Sequence, residues 1–226
     1  MHVSSQESPS DDSAPEVRAT GARARTRRLL LDTAMHLMQA GVVPSVTDVA
    51  EAAEVSRATA YRYFPTQAAL VQAAVDEALG PILEWRSDLP NAEERVEGLL
   101  DFAYPRLDEY EATLRAALLQ AMDQWSRRRA GTLGDEAPIV RGNRKAVLYN
   151  ALAPLRGQMA AEEFDRLRQS LSLVFGTEAF VVLKDIWGLD GGQARDVAVW
   201  SAHALVRAAV AEAVEAGRVQ AAGRRV

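Results

Sequence analysis

The feature that most constrains this chain is its lack of the alternating apolar and polar residues that a half-buried β-strand requires. After Arg18 the sequence is dominated by Ala, Leu, Val, Arg and Glu, with few runs of the β-branched residues that favour strands. In the first helical stretch, residues 18–40, Leu30, Ala34 and Met38 recur at the spacing of one buried helix face. The sequence therefore predicts an all-α protein of about nine helices.

The composition is that of a soluble globular protein. Hydrophobic residues make up 48% of the chain and charged residues 25%, which argues against a membrane protein and against a wholly disordered chain. The absence of cysteine excludes disulfide scaffolds, thiol nucleophiles and zinc fingers. Residues 1–16 are polar and lack the apolar segment of a signal peptide. We expect a cytoplasmic protein that holds no metal ion and no cofactor.

Charge is distributed unevenly along the chain, although the net charge is only −5. Residues 1–17 contain four acidic residues and no Lys or Arg, and we expect them to form a disordered tail. Residues 18–64 contain seven Arg and four acidic residues, a net charge of +3. Arg23, Arg25 and Arg27 lie near the start of the first helix, where cations oppose the helix dipole. They either contact an external polyanion or form a solvated charged face.

A pair of short helices follows the first helix. Ser45 and Asp48 have the spacing of a capping box, which predicts a helix start. A second short helix, residues 57–64, has Ser56 as its cap and ends at Pro65. Two short helices joined by a tight turn are a helix-turn-helix motif.

The second helix of this motif carries side chains suited to DNA on its outward face. Arg57 can form two hydrogen bonds with a guanine edge, and the hydroxyls of Thr59 and Tyr61 can bond to phosphates. Ala58 is small enough to permit close approach to the DNA. The pattern indicates a nucleic-acid-binding function.

The run from Val49 to Thr66, VAEAAEVSRATAYRYFPT, resembles the TetR family of bacterial transcriptional regulators. The similarity covers roughly residues 25–75. The resemblance implies a three-helix DNA-binding head, a larger helical domain that binds a small ligand, and a homodimer. It also implies a repressor that binds pseudo-palindromic double-stranded operator DNA in the bacterial nucleoid and is released by an apolar small-molecule effector.

The resemblance implies roles for single residues. Arg57, Ala58 and Tyr61 correspond to positions that touch base edges, and Thr59 and Tyr63 to positions that contact phosphate. The full set of candidate DNA-binding residues is Ser45, Thr47, Ser56, Arg57, Ala58, Thr59, Tyr61, Arg62, Tyr63, Gln67, Arg23, Arg25 and Arg27.

Two positions depart from the family pattern. The turn has Glu54 where members usually have Gly, so a non-Gly residue must accept the turn conformation, in a less relaxed state. Gln67 stands where members often have a Lys that meets a phosphate, so we expect weaker phosphate binding at that contact.

A fourth helix, capped by Thr66 and running to about Leu79, is expected to link the head to the body. Gly80 and Pro81 are expected to interrupt it. In proteins that this one resembles, a shift of that helix changes the separation of the two heads. A rigid connector is the alternative.

The last two apolar segments are the candidate dimer interface. Residues 173–183 are apolar nearly all round, and residues 194–214 carry small alanines that permit close helix packing. Two such helices from each subunit would form a four-helix interface, and a wholly intramolecular core is the alternative. Charges within the second segment, Arg195 and Asp196 among them, argue against a membrane span. The candidate interface residues are Leu171, Val174, Val181, Val182, Ala202, Leu205 and Ala209.

Candidate effector-binding residues are mainly aromatic side chains of the body, because ligand pockets are largely apolar with a few polar anchors. They are Phe102, Tyr104, Trp125, Tyr149, Phe175 and Glu178. Burial among the core residues is the alternative for each aromatic side chain.

An enzyme is the competing class of function, and the sequence lacks its motifs. Neither His36 nor His203 follows a Glu by three residues, as a di-iron bundle requires, and Gly-rich phosphate loops are absent. A helix-turn-helix protein or adaptor without an effector stays open. The predicted division of the chain is a tail at 1–17, a DNA-binding domain at 18–65, a regulatory domain at 66–218 and a tail at 219–226.

Overall fold

The computed structural model describes residues 14–136, 139, 142 and 144–217. Within these ranges the regular structure is helical, without a β-strand, which confirms the all-α prediction. The elements are α1 (Ala14–Gln39), α2 (Val46–Ala52), α3 (Arg57–Tyr63), α4 (Gln67–Leu83), α5 (Ala92–Glu109), α6 (Glu111–Arg129), α7 (Arg144–Ala151), a 3₁₀ turn (Ala153–Leu155), α8 (Ala161–Leu171), α9 (Thr177–Phe180), a π-helical segment (Val181–Ile186) and α10 (Gly191–Glu215).

α1, α2 and α3 enclose a small core, which we call the head core. Leu30 and Ala34 of α1 pack there against Val49 of α2 and Phe64 at the end of α3. Leu70 of α4 completes the cluster, and each of these five side chains is at most 3% exposed. The predicted buried face of α1 is confirmed, and the three-helix head depends on α4 for part of its core.

α1 begins at Ala14, four residues before its predicted start. The predicted tail at residues 1–17 therefore overlaps the helix at 14–17. The remainder of that predicted tail, and the predicted tail at 219–226, lie outside the described residues.

Side-chain caps determine where the short helices start. The Ser45 hydroxyl accepts from the backbone N–H of Asp48 at 3.1 Å, and the Asp48 carboxylate accepts from the Ser45 N–H at 2.8 Å. These bonds confirm the predicted capping box and hold the pKa of Asp48 below its ordinary value. Ser56 and Thr66 cap α3 and α4 through the backbone N–H three residues further on.

α4 continues past Pro81 to Leu83, so the predicted interruption of this helix is wrong. Pro81 has no N–H to offer the carbonyl of Glu77, one turn earlier. Arg106 of α5 supplies the missing donor, with its Nη2 2.9 Å from Glu77 O. Its Nε also donates to Ala78 O at 2.5 Å. The helix is continuous because a guanidinium from the body satisfies the carbonyls around the proline.

The core of the body lies mainly between α5, α7, α8 and α10. α5 and α10 pack along one another, with Leu99 and Ala103 of α5 fully buried. Ala194, Ala198 and Ala202 line the facing side of α10 and have no exposed surface. Because these side chains are so small, the two helix backbones can approach closely.

Two unpredicted breaks give ten α-helices in the described ranges instead of about nine. Tyr110 ends α5 and precedes α6, where the sequence pattern gave no signal. Residues 172–176 form bends and turns, with Gly176 in the left-handed region at φ 122°. The apolar run at 173–183 is therefore not one helix but a turn followed by α9 and the π-helical segment.

Two residues of the predicted dimer interface are buried inside the subunit. Leu171 and Ala202 are at most 1% exposed and belong to the subunit's own core. Val174, Leu205 and Ala209 are partly buried against the same core. Burial favours the intramolecular alternative for Leu171 and Ala202, whereas a dimer contact by the other three residues stays a prediction.

Among the described helices, α10 alone is long and apolar enough by length and composition to cross a membrane. Arg195 lies within it and pairs with Asp101 of α5 at 2.6 Å. Only 22% of its most apolar 18-residue window is buried in the subunit. In the described ranges, no group of three or more His, Asp or Glu side chains is placed to hold a metal ion.

Candidate nucleic-acid interface

α3 has one buried side and one exposed side. Ala60 is 1% exposed and faces the head core, whereas Arg57, Ala58 and Arg62 are exposed and Tyr61 retains 45% of its surface. In the described part of the chain, neither arginine forms an ion pair with a carboxylate. The exposed side of α3 therefore offers unneutralised guanidinium groups and a phenol hydroxyl, which are donors for phosphates and base edges.

The turn between α2 and α3 adopts the conformation that glycine would favour. Glu54 has φ 54°, and it is the one non-glycine residue with a positive φ among the described residues. The Glu54 N–H donates to Glu51 O, and the Val55 N–H donates to Ala50 O at 3.0 Å. These two bonds form a Schellman motif, which requires a left-handed residue after the helix. The predicted strained turn is confirmed.

The hydroxyls at the start of α3 are ordered by one another. Ser56 Oγ accepts from the Thr59 N–H at 3.2 Å and donates to Thr59 Oγ1 at 2.9 Å. Because Thr59 Oγ1 accepts in that bond, its own hydrogen stays available to donate. Ser56 acts as a cap, and Thr59 is the residue of the pair with a donor for phosphate.

A contact on the outer surface joins the two helices of the motif. Thr47 Oγ1 of α2 lies 3.4 Å from Tyr61 Oη of α3, which restrains the exposed Tyr61 ring. Tyr63 is partly buried against the head core, and the Arg62 guanidinium lies 5.7 Å from its ring centre. Both aromatic side chains of α3 therefore have one anchored side and one side available to a ligand.

The N-terminal arginines of the head divide into two groups. Arg23, Arg25 and Arg27 are exposed, and the Arg27 guanidinium lies 5.6 Å from the ring centre of Phe64, at the end of α3. Arg28 instead pairs within the chain, with Asp32 and with Glu77 of α4. The cation–π contact places the Arg27 guanidinium beside the end of α3.

Gln67 and Ser45 both have hydrogen-bond partners within the head. The Gln67 amide donates to the carbonyls of Val43 and Pro44, at 3.3 and 3.1 Å. It thereby ties the start of α4 to the loop before α2. The Ser45 hydroxyl is occupied in the capping box. Both residues position the motif, and any phosphate contact from them stays a prediction.

A second apolar cluster joins the head to the body. Met35 and Met38 of α1 pack with Val71 and Ala74 of α4 and with Ala116 of α6. All five side chains are at most 8% exposed. α4 thus contributes to both the head core and this junction, so a displacement of α4 relative to the body requires repacking here.

The candidate effector residues lie in different surroundings. Tyr104 and Phe175 are buried in the body core, and Tyr104 Oη donates to the carbonyl of Val174 at 2.7 Å. Burial raises the pKa of Tyr104, so its hydroxyl stays protonated and donates. Phe102 is 47% exposed and Trp125 65% exposed. An effector contact by any of these four residues stays a prediction.

Tyr149 and Glu178 are engaged by arginines. The Arg156 guanidinium lies 4.9 Å from the centre of the Tyr149 ring. The Glu178 carboxylate pairs with Arg144 at 2.5 Å, and Arg144 also donates to Ser172 O at 2.9 Å. Glu178 lies in an apolar run, where a carboxylate requires a partner, and that partner is Arg144 of the same chain. Glu178 lines a small polar cleft of about 230 Å³.

A cluster of ion pairs fixes the π-helical segment on the corner between α5 and α6. Lys184 pairs with Asp108 at 2.6 Å and with Glu111 at 2.5 Å. Arg115 donates to both carboxylate oxygens of Asp185, at 2.6 and 2.7 Å. This bidentate pair lowers the pKa of Asp185. The segment is thereby held in one orientation relative to α5 and α6.

Large apolar side chains at the turn after α8, at the π-helical segment and on α10 are exposed, and sequence reasoning identified them only in part. We call this set of side chains the C-terminal apolar patch. Trp187 is 72% exposed and Trp200 74% exposed, and Val182 is the one residue of the predicted interface that belongs to the patch. On α10 the signal was present, because Trp200 lies on the side opposite the buried alanines. The patch consists of Leu173, Val182, Ile186, Trp187, Val197 and Trp200.

The motif matches a known protein family. Residues 30–74 match the model of the family described as bacterial regulatory proteins, tetR family. This description names regulatory proteins, in agreement with the expectation that the chain is not an enzyme. A stretch of 54 residues, 24% of this chain, is 43% identical to the HTH-type transcriptional repressor LfrR of Mycolicibacterium smegmatis. The match spans 29% of that repressor's length. This chain therefore carries, at residues 30–74, the N-terminal helix-turn-helix domain of the TetR family of bacterial regulatory proteins.

Proposed function

We propose that this protein is a sequence-specific DNA-binding transcriptional regulator. The observation that carries the proposal is the exposed side of α3, where Arg57 and Tyr61 project from a helix-turn-helix without a neutralising carboxylate. Such a recognition helix lies in the major groove, with its N-terminal residues on base edges. Arg57 is the first residue of α3, so it is placed to read a base.

Repression is the direction of control that we propose. The supporting observation is the similarity of the head to that of a protein described as a transcriptional repressor. A regulator of this kind would act in the bacterial cytoplasm, where its operator lies in the nucleoid.

A homodimer formed through the C-terminal apolar patch is the proposed state of the regulator. Large exposed apolar patches mark interaction surfaces, and a patch on α10 and the π-helical segment can pack on its copy about a two-fold axis. Two heads related by that axis would read a pseudo-palindrome. This arrangement keeps the predicted interface segments and replaces most of the predicted residues, with Trp200 and Trp187 as the largest side chains.

An apolar effector that releases the protein from its operator completes the proposal. The effector and operator DNA would act by equilibrium coupling. An effector that favours a body conformation with mismatched heads lowers the affinity for operator DNA, and operator DNA lowers the affinity for the effector by the same factor. The supporting observation is that α4 packs in the head core and in the junction with α6, so a change in the body can reach the head.

Selection from a pool of random-sequence DNA duplexes tests the proposed function. The purified protein should enrich a pseudo-palindrome whose half-sites are about 34–36 Å apart, or more widely spaced as the body requires. A pool that stays random after repeated selection at physiological salt would refute the proposal.

A further inference from the structure

Two neighbouring residues of α6 contact different parts of the protein. Ala116, which is 4% exposed, packs in the junction against Met38 of α1 and Val71 of α4. Arg115 donates to both carboxylate oxygens of Asp185 in the π-helical segment, at 2.6 and 2.7 Å. One turn of α6 therefore carries both the junction with the head and a contact to the π-helical segment.

This contact belongs to a continuous chain of ion pairs between α5, α6 and the segment. Arg115 also pairs with Glu111 at 2.7 Å, and Glu111 pairs with Lys184. Lys184 in turn pairs with Asp108 in the last turn of α5. The side chains of Glu111, Lys184 and Arg115 are 19%, 21% and 30% exposed, so salt screens these pairs less than pairs on the open surface. We call Asp108, Glu111, Arg115, Lys184 and Asp185 the corner cluster.

The π-helical segment has little apolar anchoring of its own. Of its six described residues, Val181–Ile186, none is buried, and Leu183 packs partly against the body core. α10, by contrast, has five buried residues along its length. Core packing therefore sets the position of α10, whereas the orientation of the segment depends on the corner cluster.

The opposite side of the same segment belongs to the C-terminal apolar patch. Val182 and Ile186 each lie two residues from Lys184, about half a helical turn away, and they are 46% and 71% exposed. The proposed function assigns the second subunit to this patch. A rotation of the segment on α6 would therefore turn the interface, and with it the partner's head, relative to the head of this subunit.

We propose that the corner cluster sets the spacing of operator half-sites that the dimer accepts. The cluster joins the interface to α6, and Ala116 joins α6 to the head, so the distance and angle between the two heads depend on both contacts. A released segment would allow several arrangements of the heads and would admit several spacings. The five residues lie outside the candidate DNA-binding set, so they act as positioning residues. The inference rests on the proposed dimer and its pseudo-palindromic operator.

A series of duplexes that differ only in the spacer between the selected half-sites tests this role. Each added or removed base pair moves one half-site by about 3.4 Å and rotates it by about a tenth of a turn relative to the other. Wild type should bind the selected spacing at least about tenfold more tightly than spacings one base pair shorter or longer, because the DNA or the dimer must deform to fit. The double variant Lys184→Met, Asp185→Ala removes the ion pairs of the segment. It should reduce the ratio to about threefold or less, because a released segment populates several arrangements of the heads.

Asp185→Ala alone provides a milder variant should the double variant not fold. Asp185→Glu retains the carboxylate and should restore the wild-type ratio. Glu212→Ala is the matched control, because it removes an exposed ion pair between α8 and α10 and should leave the ratio unchanged. Sedimentation and circular dichroism establish that each variant is a folded dimer at the concentrations used.

A folded, dimeric double variant that discriminates between spacings as wild type does would overturn the proposal. Equal relaxation in Glu212→Ala, or a wild type that accepts all spacings alike, would also overturn it. Loss of the dimer in both cluster variants would do the same, because the cluster would then maintain the interface rather than set its angle. The spacer series uses an operator that has already been selected. A failure to select one counts against the proposed function, so the two failures are distinguishable.

Discussion

The guanidinium of Arg106 donates to the backbone carbonyl of Glu77 at 2.9 Å, the carbonyl that Pro81 leaves without its helical donor. The Glu77 side chain meanwhile pairs with Arg28 of α1 at 2.8 Å. One residue of α4 is thus bound from the head by its carboxylate and from the body by its carbonyl. α4 is connected to both parts of the protein at the position where proline weakens its own hydrogen bonding.

Arg106→Ala should destabilise the protein, because it leaves the partly buried carbonyl of Glu77, which has no helical donor, without a hydrogen bond. Leaving such groups unsatisfied costs about 1–3 kcal/mol, measurable as a loss in the free energy of unfolding in urea. Arg166→Ala is the control, since Arg166 is exposed and pairs with Glu212 on the surface. The control should cost under about 1 kcal/mol. Equal losses for the two variants would show that Arg106 is no more than a surface group.

Glu54→Gly should stabilise the head. A non-glycine residue in the left-handed region destabilises the folded state by roughly 1–2 kcal/mol, and glycine relieves part of this strain. Glycine also makes the unfolded chain more flexible, which offsets about 0.5–1 kcal/mol of that gain. Thermal or urea unfolding should therefore show a modest gain. Glu51→Gly, at an exposed position of α2, should instead destabilise the head by roughly 0.5–1 kcal/mol. A loss of stability in Glu54→Gly would contradict the strained turn.

How far the sequence predicts the structure depends on whether a feature is local. The caps at Ser45 and Ser56 and the strained turn at Glu54 are properties of neighbouring residues, and each is confirmed. The continuity of α4 through Pro81 was wrongly predicted, because the missing donor comes from Arg106, 25 residues further along the chain, which local pattern cannot show.

The predicted dimer interface includes two residues, Leu171 and Ala202, that are buried in the subunit, and the reason is related. Hydrophobicity identified the segments, but it could not tell which side of α10 faces the subunit core. Ala202 and Trp200 are two residues apart, and one is fully buried while the other is 74% exposed. Large apolar side chains opposite a row of alanines were the available signal, because small residues permit the closest helix packing inside the subunit.

Trp200→Asp should shift the protein from dimer toward monomer. A carboxylate placed in the centre of an apolar interface is buried without a partner, at a cost of several kcal/mol. Sedimentation velocity at fixed concentration measures the shift, and circular dichroism checks that helicity is retained. Leu119→Asp, at a 61% exposed apolar position on α6 outside the C-terminal apolar patch, is the control. Should Trp200→Asp stay dimeric, the interface lies on another surface.

Replacing Arg23, Arg25 and Arg27 with Gln should reduce the salt dependence of DNA binding. Removing one arginine–phosphate interaction lowers the slope of log affinity against log salt concentration by roughly 0.9 on duplex DNA. A double variant of Arg128 and Arg129, which are exposed at the end of α6, removes a similar amount of positive charge away from the head. An equal change of slope in both variants would mean that only net charge matters. An unchanged slope in the variant of Arg23, Arg25 and Arg27 would assign these arginines to a solvated face.

The ratio of the dissociation constants for a scrambled duplex and for the selected operator, at one salt concentration, tests most directly whether α3 reads DNA sequence. Wild type should bind the operator about 10³-fold more tightly or better. Arg57→Ala should lower operator affinity by about 1–3 kcal/mol and relax the preference at one base pair, with little effect on the scrambled duplex. Thr59→Ala should weaken binding to both duplexes alike. A wild-type ratio near one, or equal losses on both duplexes for Arg57→Ala, would contradict base reading by α3.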